Sequence, residues 1–278
     1  MNLSLKSAIE VDVKTVSEMM TEGYSGYIGG SFSFDSSMLQ NFIENDGTSL
    51  QLSQILFNNE QAIGLALIAR RGWTNRLAAL GIIPEMRRQG AGRWLMSQMI
   101  EQAGQRRDRF MVLECIEQNI AALNMYKSLG FESVRRLYGY SVENPEGTKS
   151  ELEEVDIFEV GKLLTSHDEL DLPWQCSGMT IARSGPPQKA MRLGNAYAVI
   201  SSPARQNVML RALVVHKNHQ GQGQAKRLVR ALFAKYPDKT WKISAICPEE
   251  IGERVFEKVG FVREAEINQF QMCMALDY

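Results

Sequence analysis

The chain has 278 residues, 44% hydrophobic and 23% charged, a balance that suits a globular protein of one large domain or two ordinary ones. Thirty-one basic and thirty-two acidic side chains leave a net charge of -1, so charge gives no reason to expect nucleic acid or an anionic membrane as ligand. Cys115, Cys176, Cys247 and Cys273 lack CxxC spacing and only three histidines accompany them, which argues against a zinc site or a disulfide framework. The expectation is four reduced thiols and no metal. Met1–Ile9 holds no apolar run of signal-peptide length, and no stretch approaches the ~18–20 apolar residues of a membrane span, so a cytoplasmic location is expected.

In chain order, Val13 to Thr21 reads as a short amphipathic helix, followed by a loop rich in glycine and aromatics from Gly23 to Phe34. Ser36 to Ile43 is expected to be helical. Gln54–Phe57 and Ala62–Arg70 read as strands joined by the turn Asn58-Asn59-Glu60, and Arg76–Ile83 as a third strand. From Ala91, the apolar positions Ala91, Leu95, Met99, Ile100 and Ala103 fall at helical spacing, with Gly104 as the stop. Phe110–Ile116 is an apolar strand interrupted by one acid, Glu114. Ile120–Leu129 is a second helix, closed by Gly130 in the C-cap position. The polar stretch Glu143-Asn-Pro-Glu-Gly-Thr-Lys-Ser150 has loop chemistry and sets the expected division into residues 1–145 and 146–278. Beyond it, Ala225, Leu228, Val229, Leu232 and Tyr236 make one helix face, Pro237 stops that helix, and Trp241–Cys247 alternates as a strand.

The two halves repeat one another. Leu80 to Gly92, closing later at Gly130-Phe131, corresponds to Leu213 to Ala225, closing at Gly260-Phe261. Each copy runs strand, Gly-rich loop, helix, strand, second helix, Gly-Phe. The mixed order predicts an α/β or α+β sheet with helices packed on it.

The loop Arg87-Arg88-Gln89-Gly90-Ala91-Gly92 joins a strand to a helix. Unpaired backbone N–H groups at a helix start, the helix dipole, glycines that permit close approach, and Arg87, Arg88 and Arg93 together suit a phosphate or pyrophosphate. The P-loop pattern GxxxxGK[ST] is absent. The Rossmann pattern is broken, because Pro84 to Gln89 intervene and Leu95 holds the place of the third glycine. A Gly-rich helix cap without any ligand is the plain alternative.

The run Ile82-Ile83-Pro84-Glu85-Met86-Arg87-Arg88-Gln89-Gly90-Ala91-Gly92, with Leu95 after it, resembles the V-x-P-x-x-[RQ]-x-x-G-x-[GA]-x-x-L motif of the GNAT N-acetyltransferases. Asn119-x-x-Ala122-x-x-Met125-Tyr126-x-x-x-Gly130-Phe131 resembles that family's second motif, in the family's order and spacing. The resemblance covers about residues 76–131. It implies two tandem GNAT-like domains, each a mixed twisted sheet flanked by helices, with the fourth and fifth strands splayed to admit the pantetheine arm of acetyl-coenzyme A. It further implies that the loop amides bind the pyrophosphate, that the strand backbone through Ile82 and Ile83 pairs with pantetheine, and that an N–H near Ile82 stabilises the oxyanion. Tyr126 takes the place of the general acid to the thiolate, and Asn119 could bond the coenzyme. Glu114 stands as in the ribosomal-protein N-terminal acetyltransferases, where the matching glutamate is a candidate base. A structural glutamate bonded to backbone or an arginine is the equal alternative, as is a water relay in place of the base.

The second half keeps Gln220-Gly221-Gln222-Gly223-Gln224-Ala225 but not the chemistry. Aligned from Gly-Phe, Phe256 stands for Tyr126, Glu249 for Asn119 and Ser244 for Glu114, while Lys217 replaces Pro84. It reads as a degenerate copy, and His216 and His219 near its loop read as partnerless surface or strand residues. The acceptor, a small-molecule or peptide amine, is expected to face Gly23–Tyr27 through Phe32 and Phe34, and Arg135–Tyr140. The rival function is a non-catalytic acetyl-coenzyme A-binding sensor or scaffold.

Overall fold

The structure is a computed structural model that describes residues 1–30, 33–167 and 171–276, the side chain of Asn41 excepted. It divides into two compact units. The first comprises Met1–Val134 together with Phe270–Tyr278, and the second Arg135–Gln269. The polar stretch around residues 143–150 therefore lies inside the second unit, and the chain returns to the first unit for its last residues.

The first unit opens with β1 (Leu3–Ser7), α1 (Val13–Gly23) and α2 (Ser36–Asp46). Asp12 caps α1 and Asp35 caps α2, each carboxylate accepting a first-turn N–H at 2.8 Å. The antiparallel strands β2 (Thr48–Asn58), β3 (Gln61–Arg71) and β4 (Thr74–Ile82) follow. Next come α3 (Ala91–Gln105), β5 (Phe110–Ile116) parallel to β4, and α4 (Ile120–Ser128). The helical spacing of Leu95, Met96, Met99 and Ala103 buries one face of α3 in the core. Gly23 at the end of α1 and Gly81 in β4 meet backbone to backbone: a Cβ on either would lie 3.0 Å from the other's Cα, so only glycine permits the crossing.

β6 (Glu132–Glu143) leads into the second unit, which adds β7 (Glu153–Val155), α5 (Ile157–Thr165), α6 (Gly178–Ile181), β8 (Lys189–Leu193), β9 (Ala196–Ile200) and β10 (Asn207–Val215). α7 (Gln224–Lys235) and β11 (Thr240–Pro248) follow, with β11 parallel to β10. The second helix expected before Gly260 is irregular: an α turn over Glu249–Ile251, a π stretch over Gly252–Phe256, then a 3-10 turn over Glu257–Val259. The cause is local. A Cβ on Gly252 would run into the Tyr140 ring and hydroxyl, so the widened turn accommodates that ring. β12 (Val262–Ala275) closes the chain, and Met272 and Met274 near its end are buried in the core of the first unit. Among the described residues, no helix is long and apolar enough to cross a membrane.

Candidate functional site

β4 and β5 pair only at Thr74–Phe110, Asn75–Met111 and Arg76–Val112, although both strands run several residues further. Two residues after Arg76 the β3–β4 register slips, leaving Ala78 as the extra residue of a bulge. A bulge bends and twists its strand, and here β4 turns from β5 just past their last pair. The second unit repeats the device. β10 and β11 pair at three positions ending at Met209–Lys242, and the register slips at Arg211, two residues on.

Between β4 and α3 lies the glycine loop. Gly90 takes φ +88° at the N-cap of α3, and Arg88 is also left-handed at φ +60°. The Arg87 N–H donates to the Pro84 carbonyl and the Trp94 N–H to the Gly90 carbonyl. Among the described residues, no backbone acceptor meets the intervening N–H groups from Arg88 to Arg93. A Cβ at Gly90 would meet nothing within 4 Å, so the loop is open there, whereas a Cβ at Gly92 would touch Ile82, Met125 and Leu80. Six successive donors at a helix N-terminus, met by no backbone acceptor, fit a pyrophosphate.

The side chains expected to add charge are placed differently. Arg87 Nε donates to the Ile82 carbonyl at 2.8 Å and Nη2 to the Gly23 carbonyl at 3.2 Å, bracing the α1–β4 crossing. Arg93 donates to the Ser128 hydroxyl and carbonyl at the end of α4. Gln89 Nε2 donates to the Glu85 carbonyl at 2.7 Å. Arg88 is exposed on the loop. Ile82 and Ile83 are buried, and the Ile83 N–H donates to the Ile63 carbonyl at 3.0 Å. Pro84 begins the short turn Pro84–Met86. Asn119 caps α4, its Oδ1 accepting the Ala122 N–H at 3.2 Å.

Tyr126 projects from α4 and is 7% exposed, its ring edge-on to Phe131 at 5.7 Å. Burial raises its pKa well above the ordinary 10, with Cys115, Tyr24 and Tyr27 close enough to add to the rise. Burial likewise pushes the Cys115 thiol and the Tyr24 phenol up to about 12, Tyr24 being bonded to the Leu80 backbone in β4. Tyr24 and Tyr27 stack edge to face at 5.0 Å, and Tyr24 lies 6.3 Å from Phe34. The aromatic loop after α1 is thus packed beside the diverging strands. Phe32 lies outside the described residues, and Arg135–Tyr140 falls in the second unit.

Glu114 faces Arg76. The guanidinium donates to Glu114 Oε2 through Nε at 3.0 Å and Nη2 at 2.8 Å, and its Nη1 donates to Asp46 Oδ2 at 3.1 Å. Arg76 is 3% exposed and the Glu114 side chain 4%. Neither Arg76 nor Asp46 stood among the expected site residues. A lone arginine in an apolar strand was a signal for Arg76, whereas Asp46, 30 residues away, left none.

In the second unit, Gly221 and Gly223 take φ +74° and +72°, and the N–H groups from Gly221 to Lys226 likewise meet no backbone acceptor among the described residues. Around it the polar groups differ. Phe256 is buried, Ser244 is exposed, and Glu249 pairs with Arg263 at 2.9 Å.

Residues 16–131 match the family described as Acetyltransferase (GNAT) family. Three solved structures are similar over nearly the whole chain. A GCN5-related N-acetyltransferase from Sphaerobacter thermophilus is 11% identical at a TM-score of 0.71, covering 100% of this chain and 96% of that one. A tandem GNAT protein from the clavulanic acid biosynthesis pathway is 13% identical at 0.66, covering 99% of each. A GCN5-related N-acetyltransferase from Kribbella flavida is 15% identical at 0.63, covering 99% of this chain and 71% of that one. At these identities the likeness carries the fold.

Proposed function

Starting from a chain whose residues 16–131 belong to the GNAT acetyltransferase family and whose length takes a tandem GNAT fold, we propose that it acetylates a primary amine from acetyl-coenzyme A in a ternary complex, with the first unit doing the work. The observation that carries this is the run of N–H donors from Arg88 to Arg93 that no backbone acceptor meets, beside diverging strands, with Tyr126 buried on α4, the helix whose Met125 would touch a Cβ at Gly92.

Acetyl-coenzyme A supplies the activated acetyl group as a thioester. The chain's own groups do the rest. The loop amides of Arg88–Arg93 hold the pyrophosphate, and the β4 backbone beyond Arg76, freed from β5, presents donors and acceptors along Leu77–Ile82. A backbone N–H near Ile82 stabilises the negative charge that develops on the carbonyl oxygen. Tyr126 holds its proton at the phenolic oxygen. Since burial keeps it protonated, it gives that proton to the departing sulfur as the amine's C–N bond forms and the thioester C–S bond breaks, and takes one back from solvent. An alkylamine of pKa about 10.4 must lose a proton before attack. Glu114 accepts it at its carboxylate, directly or through water. Asn119 retains its amide N–H groups for the coenzyme while its oxygen caps α4.

In this reading the second unit, with Phe256, Glu249 and Ser244 at the matching positions, contributes structure rather than turnover. The test is acetyl transfer across a panel of alkylamines and peptides, with Tyr126→Phe beside the wild type. A sensor or scaffold would bind acetyl-coenzyme A and turn over none of the panel.

A further inference from the structure

The cluster Asp46–Arg76–Glu114 is costly to build. Three charged side chains from α2, β4 and β5 are withdrawn from water, and apolar replacements for such clusters are often neutral or stabilising. The chain contains its own control. Counting from the last β4–β5 pair, Arg76 corresponds to Met209 and Glu114 to Ser244, and this register agrees with the alignment from Gly-Phe. The second unit therefore forms the same three paired positions, the same bulge and the same divergence with a methionine and a serine. Strand divergence does not need the ions.

We infer that Arg76 is a positioning residue for the transfer site, pinning the Glu114 carboxylate at the point where β4 and β5 part, and that the buried cluster is kept for the site and not for the fold. The inference rests on the transferase reading for its catalytic half and on the comparison of the two units for its structural half. The guanidinium makes two bonds to one oxygen of Glu114 and a third to Asp46, which fixes the carboxylate in direction as well as in charge. Burial opposes the charge on Arg76, but the carboxylates of Glu114 and Asp46 outweigh it and hold its pKa above the ordinary value, so the clamp is a permanent cation. The other titratable group near enough to feel its charge is Tyr24 after α1, whose phenol burial pushes up to about 12 and so keeps protonated through neutral pH.

The test uses the full chain with three variants: Arg76→Met, the pair Arg76→Met/Glu114→Ser, and Arg76→Lys. Melting is measured for each, together with the pH–rate profile for coenzyme A release with ethylamine as probe acceptor. The paired variant, which copies the second unit, is expected to melt within about 2 °C of wild type or above it. Arg76→Met alone is expected to melt below the pair, because it leaves the buried Glu114 carboxylate without the Arg76 guanidinium. It should lose ~10–100-fold in kcat, with the rising limb of the profile displaced and KM for acetyl-coenzyme A nearly unchanged. Arg76→Lys should recover part of kcat. A paired variant melting more than about 4 °C below wild type would show that the cluster serves the fold. Wild-type kcat and an unmoved profile in Arg76→Met would remove the positioning role. If the wild type acetylates no ethylamine, the proposed transfer to simple alkylamines falls, while the melting order of the variants still decides whether the cluster is a fold element.

Discussion

Gly90→Glu separates strain from blockage at the coenzyme loop. The backbone there stands at φ +88°, where a side chain costs roughly 1–2 kcal/mol. A Cβ meets no atom within 4 Å, so strain is the whole structural penalty and the variant should fold, melting about 2–8 °C lower. Ligand binding is another matter. The carboxylate lies among the N–H groups of Arg88–Arg93 and displaces the anion they would hold. Losing two charge-assisted hydrogen bonds at about 1.5–3 kcal/mol each weakens binding by about 3–6 kcal/mol, or ~10²–10⁴ in Kd. Gly90→Ala carries the strain without the charge, and should melt like Gly90→Glu while binding far better. Calorimetry with coenzyme A on the three proteins is the assay. A folded Gly90→Glu with wild-type Kd would refute the assignment of the loop.

Tyr126→Phe is expected to lower kcat by ~10²–10⁴ with little change in coenzyme affinity, and a variant with full kcat on an acetylated acceptor would remove the proton-donor role. Asp108 is fully buried and held by Arg70 at 2.6 Å, Arg106 at 3.2 Å and Asn75 at 3.3 Å, so Asp108→Ala should cost about 3–5 kcal/mol in denaturant unfolding, with a loss below about 1 kcal/mol speaking against an anchoring role. Alkaline pH should also destabilise the fold. Cys115 and Cys247 are raised from 9 and Tyr24 from 10, each to about 12, so above pH 9 the unfolded chain releases protons that the folded chain keeps. This stability is complete below pH 9 and is lost as pH rises toward 12, which denaturation midpoints at pH 8, 9.5 and 11 will read; a flat series would contradict it.

The four helices of the first unit, α7 and the glycine loop were legible because their signals are local, whereas α5 and α6 were not read from the sequence. Five apolar positions at helical spacing mark α3, and Gly130 takes φ +99° after α4 as a C-cap glycine must. Phe110–Ile116 was bounded by its apolar run. What escaped was tertiary. β1 alternates over only five residues, and β2 extends back to Thr48 through a register slip between Ser49 and Gln54 that no periodicity announces. The irregular run over residues 249–259 depends on Tyr140, more than a hundred residues earlier. That Met272 and Met274 serve the first unit was equally unreadable, since methionines in a strand pattern name no partner. In the site, the loop came from its glycines between a strand and a helix, and Tyr126 from the resemblance to the family's second motif. The ion pair of Glu114 with Arg76, 38 residues apart, became visible only when the strands were set side by side.

The most direct measurement is acetyl transfer by two matched variants, Gly90→Glu and Gly223→Glu. Both alter a left-handed glycine with open space around its Cβ, so the backbone penalties are alike. Each folded variant is incubated with isotopically labelled acetyl-coenzyme A and the acceptor on which the wild type is active, and the amide product is read by mass spectrometry. Gly90→Glu should form no product and Gly223→Glu should keep most of the wild-type rate. Product from Gly90→Glu and none from Gly223→Glu would place the chemistry in the second unit and contradict the assignment made from Tyr126, Asn119 and Glu114.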